Sequence, residues 1–432
     1  MAYIIAVLTI IVYLIRPAEW VPFLGFNWNM LLNSMGILFI CAKAFGKNTT
    51  ANFDRSTIYL FSFIVAIILS SVANFRFGTI TLYFTQLLSI IITFMLVQAA
   101  INTPKQINRF ILIFIVIILF ICFQCHLQVQ NGVNWGGLEP YSRGVLSSRD
   151  EETGIAMIRE YQVIWYGVFG DPNDLGMLLI AFFPYIFNKF FFQPAKISKR
   201  LFWLVAMVII AYTIYLTNSR GTMVALLAGL SSYFVIKKKS IKALFIIAFL
   251  GVIVITLGPS RLAEISSGDS SSMGRIYAWI EALGLFRMNP VFGIGAKEFL
   301  NYHFITTHNS FVLALVETGI IGFTAYFSLF IIAVYTAIKV AYLESNDIKR
   351  LEMIALTSGL IGIMASIFFI SRTYVLLPYL YIAILTTYIK IHAPETYRQQ
   401  IKQLHFAVLF AMSVGFIIFL YLFNRLSTNI FL

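Results

Sequence analysis

The chain is 432 residues long, 60% hydrophobic and 16% aromatic, and only 11% of its residues are charged. This composition excludes an ordinary soluble enzyme and predicts a polytopic membrane protein, because only a lipid solvent tolerates so many long apolar runs. The formal net charge of +13 would suggest a nucleic-acid partner in a soluble protein. Here most lysines and arginines fall in alternate loops, so we interpret the charge as a topology signal and expect no nucleic-acid partner.

Apolar segments that are able to cross a bilayer recur along the whole chain. In order they cover residues 2–15, 30–45, 57–73, 80–100, 110–126, 175–192, 202–216, 222–236, 241–257, 310–343, 354–370, 374–391 and 405–423. The pattern predicts one all-α membrane domain over residues 1–432, a polytopic transmembrane helical bundle of about 12–13 spans. The first run has no basic region before it and no clear small-residue cleavage site, so we expect a retained helix and not a removed signal peptide.

Every second connection between these segments is basic, as at Lys43, Lys105, Lys199, Lys238 and Lys349. By the positive-inside rule this face is cytoplasmic, which places the amino terminus inside and the carboxyl terminus outside. Most tryptophans fall near the opposite, outer face, where interfacial anchors are expected.

Two connections on the predicted outer face are long, namely residues 127–174 and 258–307. We expect both to contain short helices. In the first loop, Ile155–Trp165 is predicted to form an amphipathic helix lying in the interface. In the second, a helix is predicted over residues 274–286, followed by a turn at Asn289-Pro290 and the glycine pair of FGIGA. The cytoplasmic connections are short and lack a GxxxxGK[ST] loop, which argues against an ATP-driven pump.

Metal or thiol chemistry has no support in the sequence. Cys41, Cys122 and Cys125 all lie inside apolar runs and are interpreted as small buried hydrophobic residues. No HExxH, DxD or Cys/His cluster occurs, so neither a metal site nor a cofactor is predicted.

Arginine, rather than lysine, predominates on the predicted outer face. The arginines there include Arg143, Arg149, Arg159, Arg220, Arg261, Arg275, Arg287 and Arg372, beside the single lysine Lys297. Guanidinium groups bind phosphate through two directed hydrogen bonds, so this bias suits an anionic, phosphate-bearing ligand. Surface pairing with the outer carboxylates is the alternative for most of them.

Arg220 differs from the other arginines because it stands between two spans that are joined by hardly any loop. A charge held there needs a partner, so we predict a functional role for Arg220. The alternative is that its side chain snorkels to the lipid head groups.

His308 opens the longest apolar segment. The positive end of a helix favours a neutral imidazole, and a neutral histidine is what a general base requires. The alternative is that His308 caps the helix with Asn309. Glu317 follows nine residues later, about 13 Å along a straight helix and half a turn out of phase. We therefore expect Glu317 to be a buried structural acid that pairs with another span.

The sequence Asp171-Pro172-Asn173-Asp174 precedes a predicted span on the outer side. Asn173 or Asp174 is a candidate helix cap. The oxygen atoms of the same cluster are also candidates for contact with a metal or a sugar.

Taken in order, GDPNDLG, LTNSRGT, MGRIYAWIEAL, NPVFGIGAKEF and THNSFVLALVETGIIGF resemble the O-antigen ligase and polymerase superfamily. The resemblance covers about Gly170 to Phe323. It implies a metal-independent glycosyltransferase in a bacterial inner membrane whose active site faces the periplasm. The donor would be a glycan on undecaprenyl pyrophosphate, and the acceptor lipid A–core, a growing glycan or a protein.

The same resemblance implies roles for individual residues. Arg220 and Arg275 would hold the pyrophosphate, and His308 would act at the acceptor hydroxyl. Glu317 would have a supporting role. The candidate substrate-binding residues are Arg143, Arg149, Arg287, Arg372, Asn309, Asp171 and Asn173.

An O-antigen ligase is the leading hypothesis, although the sequence leaves the identity of the acceptor open. A polysaccharide polymerase and a protein O-oligosaccharyltransferase are the alternatives within the superfamily. A transporter or flippase for an anionic glycolipid is the alternative of another class, since it would use the same arginines without breaking a bond. Transport usually needs midplane carboxylates and repeated halves, and the sequence offers little of either.

Overall fold

The computed structural model describes residues 1–21, 25, 27–45, 54–146, 157–239, 270–393 and 403–431 of the chain. These residues are mostly helical, and the only sheet found among them is one pair of strands. The prediction of an all-α helical membrane bundle is therefore confirmed.

The helices follow the predicted apolar segments closely. In chain order the elements are α1 (Ala2–Ile15), α2 (Trp28–Phe45), α3 (Arg55–Ala73), α4 (Phe77–Ala100), α5 (Pro104–Asn131), β1 (Tyr141–Leu146), β2 (Met157–Gln162), α6 (Pro172–Ala181), α7 (Phe183–Phe191), α8 (Ile197–Leu216), α9 (Arg220–Lys238), α10 (Ser270–Met288), α11 (Ser310–Leu343), α12 (Asp347–Ile367), α13 (Leu376–His392) and α14 (Phe406–Phe431). Every predicted span coincides with one or two of these helices except residues 241–257, which lie outside the described residues.

Nine helical segments in the described part of the chain are long and apolar enough to cross a membrane, and α13 is a shorter apolar helix. The prediction of about 12–13 spans concerns the whole chain, whereas this count covers only the described residues. The predicted spans at 30–45 and 222–236 form α2 and α9, which are not among the nine segments.

The described parts of the two long connections lie at the same end of the bundle, because Asp174 at the end of the first pairs with Arg372, and the neighbouring Ser371 hydrogen-bonds to Thr307 of the second. We call this the loop end; it carries residues 132–146, 157–171 and 289–309. The basic residues Lys43, Lys189 and Lys237 lie at the opposite end, where Lys43 Nζ donates to the backbone oxygen of Ala99 at 2.7 Å.

Close helix packing brings the elements of the loop end together. α9 packs along α12, and α11 packs along α3 and α12. Glycines permit the closest approaches, because a Cβ on Gly176 of α6 would lie 1.8 Å from Oγ1 of Thr222 in α9. Small residues at helix interfaces allow such contacts in membrane bundles. The starts of α6 and α9 are therefore held side by side.

The first loop differs from its prediction. β1 and β2 form an antiparallel hairpin in which Tyr141 stands opposite Gln162 and Arg143 opposite Glu160. The amphipathic helix predicted over Ile155–Trp165 is therefore wrong for its described residues, which are a strand up to Gln162. A short segment takes its conformation from the strand with which it pairs, and local periodicity does not reveal that partner. The loop does contain one helical turn, Gly167–Phe169.

The second loop agrees with its prediction. α10 covers the helix predicted over residues 274–286, and Gly293 and Gly295 have positive φ angles of 70° and 106°. A second short turn, Phe299–Asn301, precedes His308.

α11 is not the continuous helix that the sequence predicts, because Gly319 breaks it with φ 64° and ψ −168°. The second loop fills the break. The backbone N–H of Ile320 donates to Pro290 at 2.9 Å, and that of Ile294 donates to Val316 at 3.0 Å. A Cβ on Gly319 would lie 2.2 Å from the backbone oxygen of Val291, so this approach requires glycine. The loop is thereby built into the bundle.

Candidate functional site

The candidate site lies where several helix ends meet at the loop end. The elements are the starts of α6, α9 and α11, the first turns of α10, and residues 368–375 between α12 and α13. Helix starts carry free N–H groups and the positive end of the helix dipole, which favour an anion nearby.

Arg220 is the first residue of α9, and its position is set by the residue before it. Ser219 caps α9 by accepting from the backbone N–H of Thr222 at 3.1 Å. The same hydroxyl donates to Oδ1 of Asn173 at 2.6 Å, which ties the start of α9 to the start of α6. The structure therefore brings Arg220 and Asn173 together.

The acidic cluster before α6 divides into two roles. Asp171 caps the helix, accepting from the backbone N–H and the side-chain amide of Asn173, both at 2.8 Å. The predicted cap, Asn173 or Asp174, is thus wrong by a few residues. Asp174 is buried at 1% exposure and pairs with Arg372, whose Nε donates to Oδ1 at 2.5 Å and whose Nη2 donates to Oδ2.

Arg372 is consequently not a free surface cation. Its backbone N–H donates to Oγ of Ser310 at 2.7 Å, which fixes it against the start of α11. Burial acts to lower the pKa of Arg372, but the hydrogen bonds and charge of Asp174 raise it above its ordinary value. The guanidinium therefore stays charged, and its side chain remains 32% exposed at the site.

His308 has a backbone conformation that side chains rarely adopt, with φ 47°. Its neighbours hold it there. Nε1 of Trp279 donates to the backbone oxygen of Thr307 at 2.6 Å. The Thr307 hydroxyl in turn donates to the backbone oxygen of Asn309 at 2.8 Å. Strained residues of this kind occur most often at functional sites. Trp279 follows Arg275 by one turn of α10, so both residues approach His308 from the same helix.

The imidazole of His308 is neutral at physiological pH. Burial lowers its pKa to about 4, the positive charges of Arg275 and Arg372 act in the same direction, and Asp171 opposes them. These three side chains are therefore within electrostatic reach of His308. A half-buried neutral imidazole beside two arginines is able to accept a proton from a neutral hydroxyl.

Asn309 is the cap of α11. Its Oδ1 accepts from the backbone N–H groups of Phe311 at 2.9 Å and Val312 at 3.1 Å. The capping interaction proposed for His308 and Asn309 thus belongs to Asn309, which leaves the His308 ring outside the cap. The Asn309 amide nitrogen is buried and has no hydrogen-bond partner among the described residues.

Glu317 faces away from His308, as its helical phase predicts. It is 2% exposed, and its two oxygens accept from the backbone N–H of Phe299 at 3.2 Å and from the Tyr374 hydroxyl at 2.6 Å. Lys297 lies beside it, 3.5 Å from the ring centre of Tyr83, and burial lowers the lysine pKa to about 8. Glu317 therefore fastens the second loop to the bundle.

Of the remaining predicted site residues, Arg287 does not join this group. Arg287 is exposed at the far end of α10, twelve residues or about 18 Å from Arg275. Arg143 is described only as a residue of β1 opposite Glu160. Arg149 lies outside the described residues.

An apolar groove opens next to the site. Its volume is about 420 Å³, and its lining between α11, α12 and α14 includes Phe311, Phe368, Phe369, Phe416 and Phe419. Phe369 connects the two regions, because a Cβ on Gly221 would lie 3.2 Å from Cβ of Phe369. One lining residue of the groove thus contacts the first turn of α9, next to Arg220.

Sequence reasoning missed the pairing of Asp174 with Arg372 and the contact of Trp279 with Thr307. Trp279 was interpreted as an interfacial anchor. Two opposite charges beside apolar helices were a signal for the ion pair, since buried charges need partners. Across the described ranges, no three His, Cys, Asp or Glu side chains are grouped as metal ligands.

Comparison with known proteins gives one family. Residues 205–327 match the family model described as O-antigen ligase, and no curated protein matches the chain significantly. The matched region runs from within α8 into α11 and includes Arg220, Arg275, His308, Asn309 and Glu317. The resemblance predicted from the sequence is therefore confirmed: residues 205–327 of this multi-pass membrane protein are similar to the O-antigen ligase family.

Proposed function

We propose that the chain transfers an oligosaccharide from undecaprenyl pyrophosphate to an acceptor hydroxyl, most simply as an O-antigen ligase on the periplasmic side of the inner membrane. The observation that carries the proposal is the neutral, strained His308 beside Arg275 and Arg372. The family match supports transfer of this kind, and the lysine-rich opposite end supports the orientation by the positive-inside rule.

The proposed reaction is a direct displacement. The acceptor oxygen attacks the anomeric carbon of the donor sugar while His308 takes the hydroxyl proton. The bond from that carbon to the pyrophosphate oxygen breaks, and the electron pair leaves with undecaprenyl pyrophosphate. The products are the new glycoside, the free lipid pyrophosphate and a protonated histidine, which returns its proton to solvent. Displacement in one step inverts the anomeric carbon.

Arg220 and Arg275 would neutralise the charge that grows on the leaving pyrophosphate. Fixed cations in a partly buried site stabilise such charge more strongly than water does. The starts of α6, α9 and α11 add the positive ends of three helices. The metal independence of the reaction is part of this proposal.

The apolar groove beside Arg220 is the proposed place for the start of the prenyl tail. Its aromatic lining suits a branched, unsaturated hydrocarbon, and its end at Phe369 would place the pyrophosphate next to α9. The tail is far longer than the groove, so the rest would extend into lipid.

Reconstitution tests the proposal. Purified protein in liposomes is given a lipid-pyrophosphate glycan together with lipid A–core, a second lipid-linked glycan or a peptide acceptor, and products are identified by mass spectrometry. We expect free undecaprenyl pyrophosphate and glycosylated lipid A–core. A product with either other acceptor would assign the chain to the polymerases or to the protein glycosylating enzymes.

Transport of an intact glycolipid is the second candidate, because the arginines and the groove would serve it equally. The same liposomes distinguish the two functions. Movement of intact donor between leaflets without release of free lipid pyrophosphate would show that the chain is a transporter and not a transferase.

A further inference from the structure

Gln162 makes a bridge between the hairpin and the turn that carries Arg220. It is the last residue of β2 and is buried, with 7% exposure. Its Nε2 donates to the backbone oxygens of Thr217 and Asn218, both at 3.0 Å. The next backbone N–H, that of Val163, donates to the oxygen of Leu216 at 3.3 Å. The end of the hairpin therefore lies along the end of α8.

The bonded carbonyls belong to a sharp turn. α8 ends at Leu216, α9 begins at Arg220, and Asn218 has φ 47° in the left-handed region. The last carbonyls of a helix have no partner within the helix and need donors from elsewhere. Gln162 supplies two such bonds from one amide group, immediately before the cap Ser219.

The turn is also held from its other side. Ser219 donates to Asn173 of α6, as described above, at 2.6 Å. Two amide side chains from separate elements thus fix the residues on either side of the turn. The backbone of Arg220 has little freedom to shift while both are in place.

The hairpin end is itself anchored, so it is able to act as a support. Gln128 of α5 exchanges two hydrogen bonds with Ile164, donating to its oxygen at 3.0 Å and accepting from its N–H at 3.2 Å. Nε1 of Trp165 donates to the backbone oxygen of Leu14 in α1 at 2.7 Å. The stretch from Gln162 to Trp165 is consequently bonded to three helices.

We infer that Gln162 is a positioning residue for Arg220, and that the hairpin influences the reaction through the Gln162 side chain. The side chain does not touch the proposed substrate; it sets the place of the turn from which Arg220 projects. The inference rests on the proposed function, because it assumes that Arg220 binds the donor pyrophosphate.

Loss of the Gln162 amide removes both donors from the turn and leaves the carbonyls of buried Thr217 and half-buried Asn218 without them. Gln162→Met keeps the length of the side chain without its donors. We expect the Kd for undecaprenyl pyrophosphate to rise about five- to tenfold, which corresponds to the loss of one or two ordinary hydrogen bonds. The KM for the acceptor should stay within about twofold of the wild-type value, since the change acts through the donor side.

A double-mutant cycle on donor affinity tests the inference. The Kd for undecaprenyl pyrophosphate is measured by thermophoresis for wild type, Gln162→Met, Arg220→Ala and the double variant. If Gln162 acts through Arg220, Gln162→Met weakens binding in the wild-type background and has no further effect in the Arg220→Ala background. Equal weakening in both backgrounds, or no weakening in the wild type, would overturn the inference.

Matched variants separate this role from general stability. Gln98 is also buried and bonded through both ends of its amide, to Thr57 and Thr386, but it lies at the opposite end of the bundle. Gln98→Met should lower the Tm without changing the Kd. If Gln162→Met does not fold, Gln162→Asn takes its place in the cycle, with an amide that is too short to reach both carbonyls.

The cycle also distinguishes failure of the inference from failure of the proposed function. If Arg220→Ala binds the lipid pyrophosphate as tightly as the wild type, the assignment of Arg220 fails, whatever Gln162 does. If Arg220→Ala binds weakly but the two changes are additive, only the positioning role of Gln162 is lost.

Discussion

The two ends of the bundle each bury an ionic cluster, but they treat it differently. At the opposite end, Glu352 is fully enclosed by donors: Lys189, Gln193 at 2.9 Å and Tyr388. At the loop end, Asp174 also has its arginine, but Arg372 remains 32% exposed and His308 beside it is strained. In the Glu352 cluster, these polar groups bond to one another and hold helices together. The second leaves cationic surface and a neutral base at an opening, which is the arrangement that binding and catalysis need.

Among the variants that test this comparison, the largest effect on the transfer rate is expected from a change at His308. His308→Ala removes the proposed base, so transfer should fall by about 10²–10⁴-fold while the protein stays folded in the membrane. The rate of formation of glycosylated acceptor measures it. The control is His303→Ala, because His303 Nδ1 contacts only the nearby backbone of Ile305 at 3.1 Å; its rate should remain near that of wild type. Undiminished transfer by His308→Ala would remove the base assignment.

Arg220→Lys is expected to have the next largest effect. Lysine keeps the charge but lacks the planar fork that binds two phosphate oxygens, so kcat/KM for the donor should fall about ten- to hundredfold. The matched control is Arg287→Lys at the far end of α10, which should change kcat/KM by no more than about twofold. If the two variants behaved alike, the arginines would act only through general charge.

Two variants, each of which removes the cation of one buried ion pair, test the difference between the two ends directly. Lys189→Met leaves Glu352 with Gln193 and Tyr388, and Arg372→Met leaves Asp174 buried without its guanidinium. Each should cost about 3 kcal/mol of stability, seen as a lower Tm. Below both melting temperatures, Lys189→Met should keep its kcat, whereas Arg372→Met should lose activity as well. Equal loss of activity in both would show that the two ends do not differ in role.

The smallest expected effect is on pH dependence. The pKa of His308 is 6.5 in its ordinary state and about 4 in the folded protein. The unfolded chain therefore binds more protons between these values, so this group makes the protein less stable as the pH falls from 6.5 towards 4. The slope of Tm against pH should be smaller in His308→Gln than in wild type over that window. Identical slopes would mean that the histidine is not held neutral by its surroundings.

Much of the fold was predictable from the sequence because apolar runs and basic loops report the bilayer directly. The same local reasoning placed α10, the glycine turn and Glu317 as a buried acid that does not orient His308. It failed for β2, whose conformation depends on its pairing with β1, and for Gly319, where the second loop supplies the bonds that the helix lacks.

The candidate site was predicted in part, as a set of residue types. Arg275, Arg372 and His308 are brought together, and Arg220 lies at a neighbouring helix start. The pairing of Arg372 with Asp174 and the support of the Arg220 turn by Gln162 depend on contacts between elements far apart in the chain. No local pattern encodes such contacts.

The base role of His308 is the central claim, and a single-turnover measurement tests it most directly. Wild type and His308→Gln are loaded with a lipid-pyrophosphate glycan, mixed with lipid A–core, and followed by release of free undecaprenyl pyrophosphate. Glutamine fills a similar space without a basic nitrogen, so donor affinity should be unchanged and the rate of release should fall at least about a hundredfold. A release rate within a few fold of wild type, at equal donor occupancy, would contradict the account.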